Sequence, residues 1–198
     1  MTVAWCKENC LSYQHCLKIG IGYNSVLCQQ KKPSLSSLSW PKFFMSLVYL
    51  IAQKSKDPRS HVGAVIVGTD NTIISVGYNG LPRNIEYKPF RIIKPDKKYY
   101  FEHAERNAIY NSIRNHSTIQ NATIYTNGIP CPGCARALIQ TGIKTVVIDI
   151  TWDKDLSQER IIESNITKDL FEDSDIKLKI WSGGIISKIE KFQDGEVI

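Results

Sequence analysis

The chain has 198 residues, enough for one domain with a sizeable core plus appendages. At 42% hydrophobic and 22% charged residues, its composition is that of a globular protein and excludes a low-complexity chain. The net charge of +6 is carried wholly by residues 1–60, while 61–198 hold as many acids as bases. A neutral body argues against the basic stripe that a polynucleotide track needs.

Residues 1–39 hold four of the six cysteines, Cys6, Cys10, Cys16 and Cys28, together with His15 and a Ser-rich stretch after Pro33. They read either as a Cys-containing leader or as a second metal site. The first fifteen residues lack a continuous apolar segment, so no secretory signal is expected. Residues 42–54 read as a helix with Phe43, Phe44, Leu47, Leu50 and Ile51 on one side. The apolar run within it is too short to span a bilayer, and Ser46 interrupts it.

Residues 62–68 and 72–78 read as β-branched strands joined by a turn through Thr69, Asp70 and Asn71. A long connection over 80–101 leads to a predicted helix over 102–115. A strand at 123–127 feeds a helix at 131–141, which Gly142 ends and which Pro130 suits as a lead-in. A strand at 144–150, a helical pattern at 156–171 (Leu156, Ile161, Ile162, Ile166, Leu170) and a strand at 176–181 complete the body. The tail from Ser182 has no clear pattern.

This order predicts an α/β fold, a three-layer α/β/α arrangement with a mixed five-stranded sheet. The predicted division is an N-terminal extension over 1–39, a catalytic domain over 40–182 and a tail over 183–198.

The chemistry is concentrated in His103-Ala104-Glu105 and Pro130-Cys131-Pro132-Gly133-Cys134. Cys131 and Cys134 are three apart, so both thiols can face one point on a first helical turn. The free N–H groups and positive dipole end favour thiolates, the form that binds metal. His103 must come from a separate element. His103, Cys131 and Cys134 form a ligand set suited to Zn²⁺, and three protein ligands leave a fourth position for water. Positions 103 and 105 point some 200° apart on a regular helix, so both reach one site only at a helix end. Glu105 then stands beside the metal as a proton shuttle.

Alone, the two cysteines could equally be a redox pair or half of a zinc ribbon. With His-Ala-Glu, they form the signature of zinc deaminases that act on nucleobases. The chemistry predicted is attack of water at C4 of a cytosine. Glu105 carries the water proton to ring N3, and then protonates the departing amine in a second transfer. Cysteine ligands also need a reducing compartment, so an intracellular, cytoplasmic setting is expected.

Further segments point to one branch. Ser55-Lys56-Asp57-Pro58-Arg59-Ser60-His61-Val62-Gly63-Ala64, Gly77-Tyr78-Asn79-Gly80-Leu81-Pro82 and His103 to Ile109 resemble the deoxycytidylate (dCMP) deaminase family, which has the cytidine deaminase-like fold. The resemblance runs from about residue 43 to 150. It implies a zinc-dependent enzyme making dUMP from dCMP and so feeding thymidylate synthesis, with one catalytic Zn²⁺ per chain. It also implies that Mg²⁺ assists nucleotide binding and that the chain forms a homo-oligomer, often a hexamer, regulated by dCTP and dTTP.

By the same resemblance Asn79 binds the sugar, its amide exposed at a strand end, and Ala104 lies at the substrate. Arg59 is the candidate for the 5′-phosphate, with Arg106 and Arg83 as weaker ones. Asn127 stands where many relatives have Thr, and Gly128 where they often have a bulky residue, at a strand end expected to border the base. The second structural zinc of some relatives cannot be placed, because residues 80–102 hold no His or Cys.

The alternatives are a polynucleotide deaminase acting on tRNA or single-stranded DNA, and a non-catalytic nucleotide-binding module. The first needs aromatic stacking in a basic groove. Tyr99, Tyr100 and Phe101, with Lys97 and Lys98, are the cluster available for it, or for closing the pocket of a nucleotide enzyme.

Overall fold

Alternating β-branched residues build a five-stranded sheet in the computed structural model, which describes residues 38–93, 95–153 and 156–187 and the backbone of 192–193 and 196–197. In chain order the elements are α1 (Trp40–Ala52), β1 (Gly63–Val67), β2 (Ile73–Tyr78), α2 (Pro89–Ile92), α3 (Lys97–Tyr100), α4 (Ala104–Arg114), β3 (Thr123–Thr126), α5 (Pro132–Gln140), β4 (Thr145–Asp149), α6 (Gln158–Asp173) and β5 (Lys177–Trp181). The strand order is β2-β1-β3-β4-β5. β1 is antiparallel to β2 and β3, whereas β3, β4 and β5 run parallel. This is the mixed sheet expected of a hairpin followed by helix–strand crossovers.

Residues alternate across the sheet, so each strand feeds two cores. Ala64, Ile66, Ile124, Val146 and Ile148 meet Ala108, Leu138 and Phe171 on the face covered by α4, α5 and α6. Val65, Val67, Tyr125 and Val147 meet Phe44, Met45 and Val48 of α1 on the other. The three layers are therefore unequal, with three helices on one face and one on the other.

Two predicted apolar stripes are corrected. Of the α1 stripe, Phe44 is buried and Phe43, Leu47 and Ile51 pack against the core, but Leu50 is exposed, and Met45, Val48 and Ala52 are buried as well. On α6 the buried residues are Ser164, Thr167 and Phe171, while Ile161, Ile162 and Ile166 are exposed. Leu156 lies ahead of that helix, whose N-cap is Ser157, with Oγ accepting from the Arg160 amide at 3.3 Å.

Ser39–Ser187 form one compact unit. The other unit draws on the two chain ends and contributes a short antiparallel pair, β6 (Phe192–Gln193) with β7 (Glu196–Val197). Cys6, Cys10, His15, Cys16 and Cys28 lie outside the described residues. No helix among the described residues is long and apolar enough to cross a membrane.

Helix α4, which starts at the His-Ala-Glu segment, is seated tightly on β2. Asn107 Nδ2 donates to Tyr78 O at 2.8 Å, Asn111 Nδ2 to Val76 O at 2.6 Å, and Ser75 Oγ to Ala108 O at 2.8 Å. Gly77 permits the approach. A Cβ there would lie 2.2 Å from Ala104 O and 2.4 Å from Ala108 N. Both are backbone atoms, so the helix itself would have to shift. Gly77→Ala is expected to cost about 3 kcal/mol, a fall in Tm of roughly 5–10 °C by thermal melt. An unchanged Tm would refute this account of the seat.

Candidate active site

Two helix starts converge on one point. His103 is the N-cap of α4 and Glu105 lies in its first turn. Cys131 is the N-cap of α5 and Cys134 sits one turn along it. The proline at the first helical position is Pro132, not Pro130. Its fixed φ suits that position, and the Cys131 carbonyl is left free to accept from Ala135 N at 2.9 Å. His103 departs from helical geometry as N-caps do, so its ring and the Glu105 carboxylate reach the same site from the cap and first turn of one helix end.

His103 Nδ1 lies 3.5 Å from Cys131 Sγ and 3.5 Å from Cys134 Sγ. All three ligand atoms fall within 4.8 Å of one another. Around a tetrahedral zinc, bond lengths of about 2.1 Å to nitrogen and 2.3 Å to sulfur put those atoms about 3.6 Å apart. The donor set and its spacing therefore fit Zn²⁺. Cys134 is buried, Cys131 half-buried and His103 open to solvent. The Cys131 thiol is lowered to about 3, first by its hydrogen bond with Cys134 and also by one with His103. The same contact, with burial, pushes Cys134 up.

Glu105 is 5% exposed and outside this ligand group. Cys134 Sγ donates to its Oε2 at 3.7 Å. Burial holds its carboxyl above the ordinary range. A carboxyl so placed holds a proton more readily than an exposed one.

The site opens into a pocket of about 930 Å³. Arg59, Asn79, Ala104, Glu105, His103, Arg106 and Cys131 of the predicted residues line it. Arg83 does not, and instead donates to Asn111 beside a separate hollow. Arg106 is paired with Glu102. Among the described residues, no side chain holds the Arg59 guanidinium.

Asn79 differs from expectation, because its amide is committed rather than exposed. Nδ2 donates to Asp57 Oδ2 at 3.0 Å and Ser60 O at 2.9 Å, and Oδ1 accepts from Val62 N at 2.9 Å. What it still offers a ligand is the second lone pair on Oδ1. Asn127 is also corrected. It is fully buried, and its Oδ1 accepts from Gly63 N at 2.7 Å, tying β3 to β1 instead of facing the pocket. Gly128 does line the pocket.

Of the aromatic-basic cluster, Lys97 lines the pocket, and Trp152, Asp153, Arg160 and Glu163 line it without any local signature. Lys97 pairs with Asp57 and so ties the long 80–101 connection to the Ser55–Ser60 segment. Arg160 and Thr167 of α6 donate to Ile129 O and Pro130 O, fixing the chain that runs into Cys131. The proposed Tyr99–Phe101 lid is not formed. Tyr99 is the most exposed large hydrophobic side chain among the described residues, Tyr100 meets Phe90 edge-on, and Phe101 is buried. The indole at the pocket is Trp152.

Residues 38–150 match the family model described as the cytidine and deoxycytidylate deaminase zinc-binding region. The chain belongs to that family. Over 116 residues it is 45% identical to deoxycytidylate deaminase of Mus musculus, an alignment covering 56% of this chain and 64% of that one. It therefore spans just under two thirds of the length of that curated relative. A protein of Aliivibrio fischeri described as an uncharacterized deaminase is 33% identical over 141 residues, covering 70% of this chain and 91% of that one. The dCMP deaminase from cyanophage S-TIM5, solved in complex with dCMP and dUMP, shares the fold. Its TM-score is 0.58 at 22% identity, over 71% of this chain and 96% of that chain.

Proposed function

We propose that the chain is a zinc-dependent hydrolytic deaminase converting dCMP to dUMP and ammonia. The observation that carries this reading is the triangle of His103 Nδ1, Cys131 Sγ and Cys134 Sγ, with the buried Glu105 carboxylate against it inside a pocket. The identity to deoxycytidylate deaminase selects the substrate.

Zinc held by His103, Cys131 and Cys134 supplies a water whose pKa is lowered to about 7. The Glu105 carboxylate takes the proton of the attacking water and passes it to ring N3. It next takes the second proton, from the hydroxyl now on C4, and gives it to the departing amine, so the C4–N bond breaks, ammonia leaves and the C4 carbonyl of uracil remains. Ala104 contributes the floor of the pocket and Asn79 an acceptor for a sugar hydroxyl. The Arg59 guanidinium, which no side chain among the described residues holds, lines the pocket and suits the 5′-phosphate, since its planar donors match phosphate oxygens.

Ammonia release from dCMP, dCTP, deoxycytidine and an RNA hairpin, measured side by side on the purified chain, tests the reading. Turnover of dCMP above the others supports it, and reaction of the hairpin alone overturns it. Arg59→Ala is expected to cut the preference for dCMP over deoxycytidine, as a ratio of kcat/KM, by roughly tenfold to a hundredfold, the value of a hydrogen bond to a charged group. An unchanged ratio would remove Arg59 from the phosphate.

A further inference from the structure

Behind the pocket wall lies a pair of residues that the proposed chemistry does not use. Asp149, at the end of β4, is buried. Its Oδ1 accepts from Thr151 N at 2.7 Å and from Thr151 Oγ1 at 2.8 Å. Its Oδ2 accepts from the hydroxyl of Tyr49, a hundred residues away on α1, at 2.9 Å. The turn that follows is pinned again at its far side, where Asp153 Oδ2 accepts from Ile129 N at 2.8 Å. Between these anchors, Trp152 meets the Tyr49 ring edge-on at 6.1 Å. Trp152 and Asp153 line the pocket, but Tyr49 does not.

Gly128 admits this turn. A Cβ there would lie 2.4 Å from Trp152 Cδ1 and 2.8 Å from both Asp153 carboxylate oxygens. The indole and carboxylate therefore occupy the space that a side chain at 128 would take. They form a wall that strand β3 does not supply, and its position depends on what holds the turn.

We propose that Tyr49 is a positioning residue: through its hydrogen bond to Asp149 it sets the 151–153 turn, and so the wall that Trp152 and Asp153 place around the nucleotide. The nucleotide is the one in the proposed reaction, on which this step rests. Burial, followed by the Asp149 hydrogen bond, pushes the Tyr49 hydroxyl up to about 12, so it remains a donor at any working pH. Tyr49→Phe removes the hydroxyl, with its contacts to Asp149, Thr151 and Asn127, and keeps the ring against Trp152.

The test combines two readouts. Acrylamide quenching of Trp152 emission, isolated by difference against Trp152→Phe, reads the turn without substrate. Steady-state kinetics with dCMP read the pocket. Tyr49→Phe is expected to make Trp152 more quenchable and to raise KM up to about tenfold, the value of one net hydrogen bond, with kcat little changed. Asp149→Ala also removes the two Thr151 hydrogen bonds, so its effect should be at least as large, and adding Tyr49→Phe to it should cause no further loss. Asp149→Asn keeps an acceptor for Thr151 and offers its amide to the Tyr49 oxygen, so it should restore both readouts. A lowered Tm with unchanged quenching and KM would overturn the proposal and leave Tyr49 a packing residue. Should the wild type fail to turn over dCMP, the deaminase reading falls, while the quenching comparison still decides whether Tyr49 sets the turn.

Discussion

Glu105→Gln is expected to keep zinc and lose turnover of dCMP by roughly 1,000-fold or more, within the range a positioned general acid–base supplies. Glutamine has nearly the same volume, so α4 and its N-cap His103 stay in place. The three ligand atoms form a group without Glu105, so metal content should remain that of the wild type. What disappears is a carboxylate able to accept a proton and return it. The loss should fall on kcat rather than KM, because the step removed is made in the transition state.

Stability gives a second readout with a definite sign. Burial raises the Glu105 carboxyl above its ordinary range, so ionising it costs the folded state free energy as pH rises past the unfolded value. The amide carries no such cost. At neutral pH the variant should therefore melt at or above the wild-type temperature, which separates a chemical loss from a folding defect. Zinc content by atomic absorption, kcat and Tm on one preparation decide the matter. Near-full activity would sink the shuttle role, and loss of zinc would make Glu105 a ligand.

The parts of this site that were legible in the sequence are those whose chemistry is local. A three-residue cysteine spacing beside a proline encodes a helix start, and a helix start places two thiols together. His103 and Glu105 are likewise adjacent in sequence and need only an N-terminal position to converge. The choice between Pro130 and Pro132 was not legible, since the fixed φ of either suits a first helical turn. Neither was the wall of the pocket. Trp152, Asp153 and Arg160 arrive through the parallel crossover from β4 to α6, and nothing near them in sequence marks that arrival.

The two misjudged helix faces share another cause. Periodicity identifies an apolar stripe, but not how much of it the sheet covers. Helix α6 lies over the β5 edge and leaves Ile161, Ile162 and Ile166 in the open. Asn79 and Asn127 each stand just before a glycine at a strand end, where an exposed amide is the expectation for the first and a place beside the base for the second. Each is instead consumed in satisfying backbone groups at strand ends, Val62 and Ser60 for one and Gly63 for the other.

Cys134→Ser is expected to abolish zinc binding and dCMP turnover together. Cys134 is the fully buried member of the ligand set, fixed at the third position of α5 with its sulfur between His103 and Glu105. A serine hydroxyl does not ionise near neutrality and is a poorer donor for zinc than a thiolate. Losing an outer-shell partner already costs about 10–100-fold in metal affinity, and loss of one ligand of three should exceed that. The hydroxyl would retain a hydrogen-bond acceptor in Glu105, so the helix should form without metal.

Cys131→Ser provides the contrast. Serine is a favoured N-cap, so α5 should gain local stability while the zinc is lost as well. Zinc per chain, by elemental analysis after dialysis, should fall by one equivalent in both variants. Their melting temperatures should diverge, with Cys131→Ser the higher. Retention of that equivalent together with turnover in Cys134→Ser would show that the buried thiol is not a ligand. The same result would remove the triangle on which the deaminase reading stands.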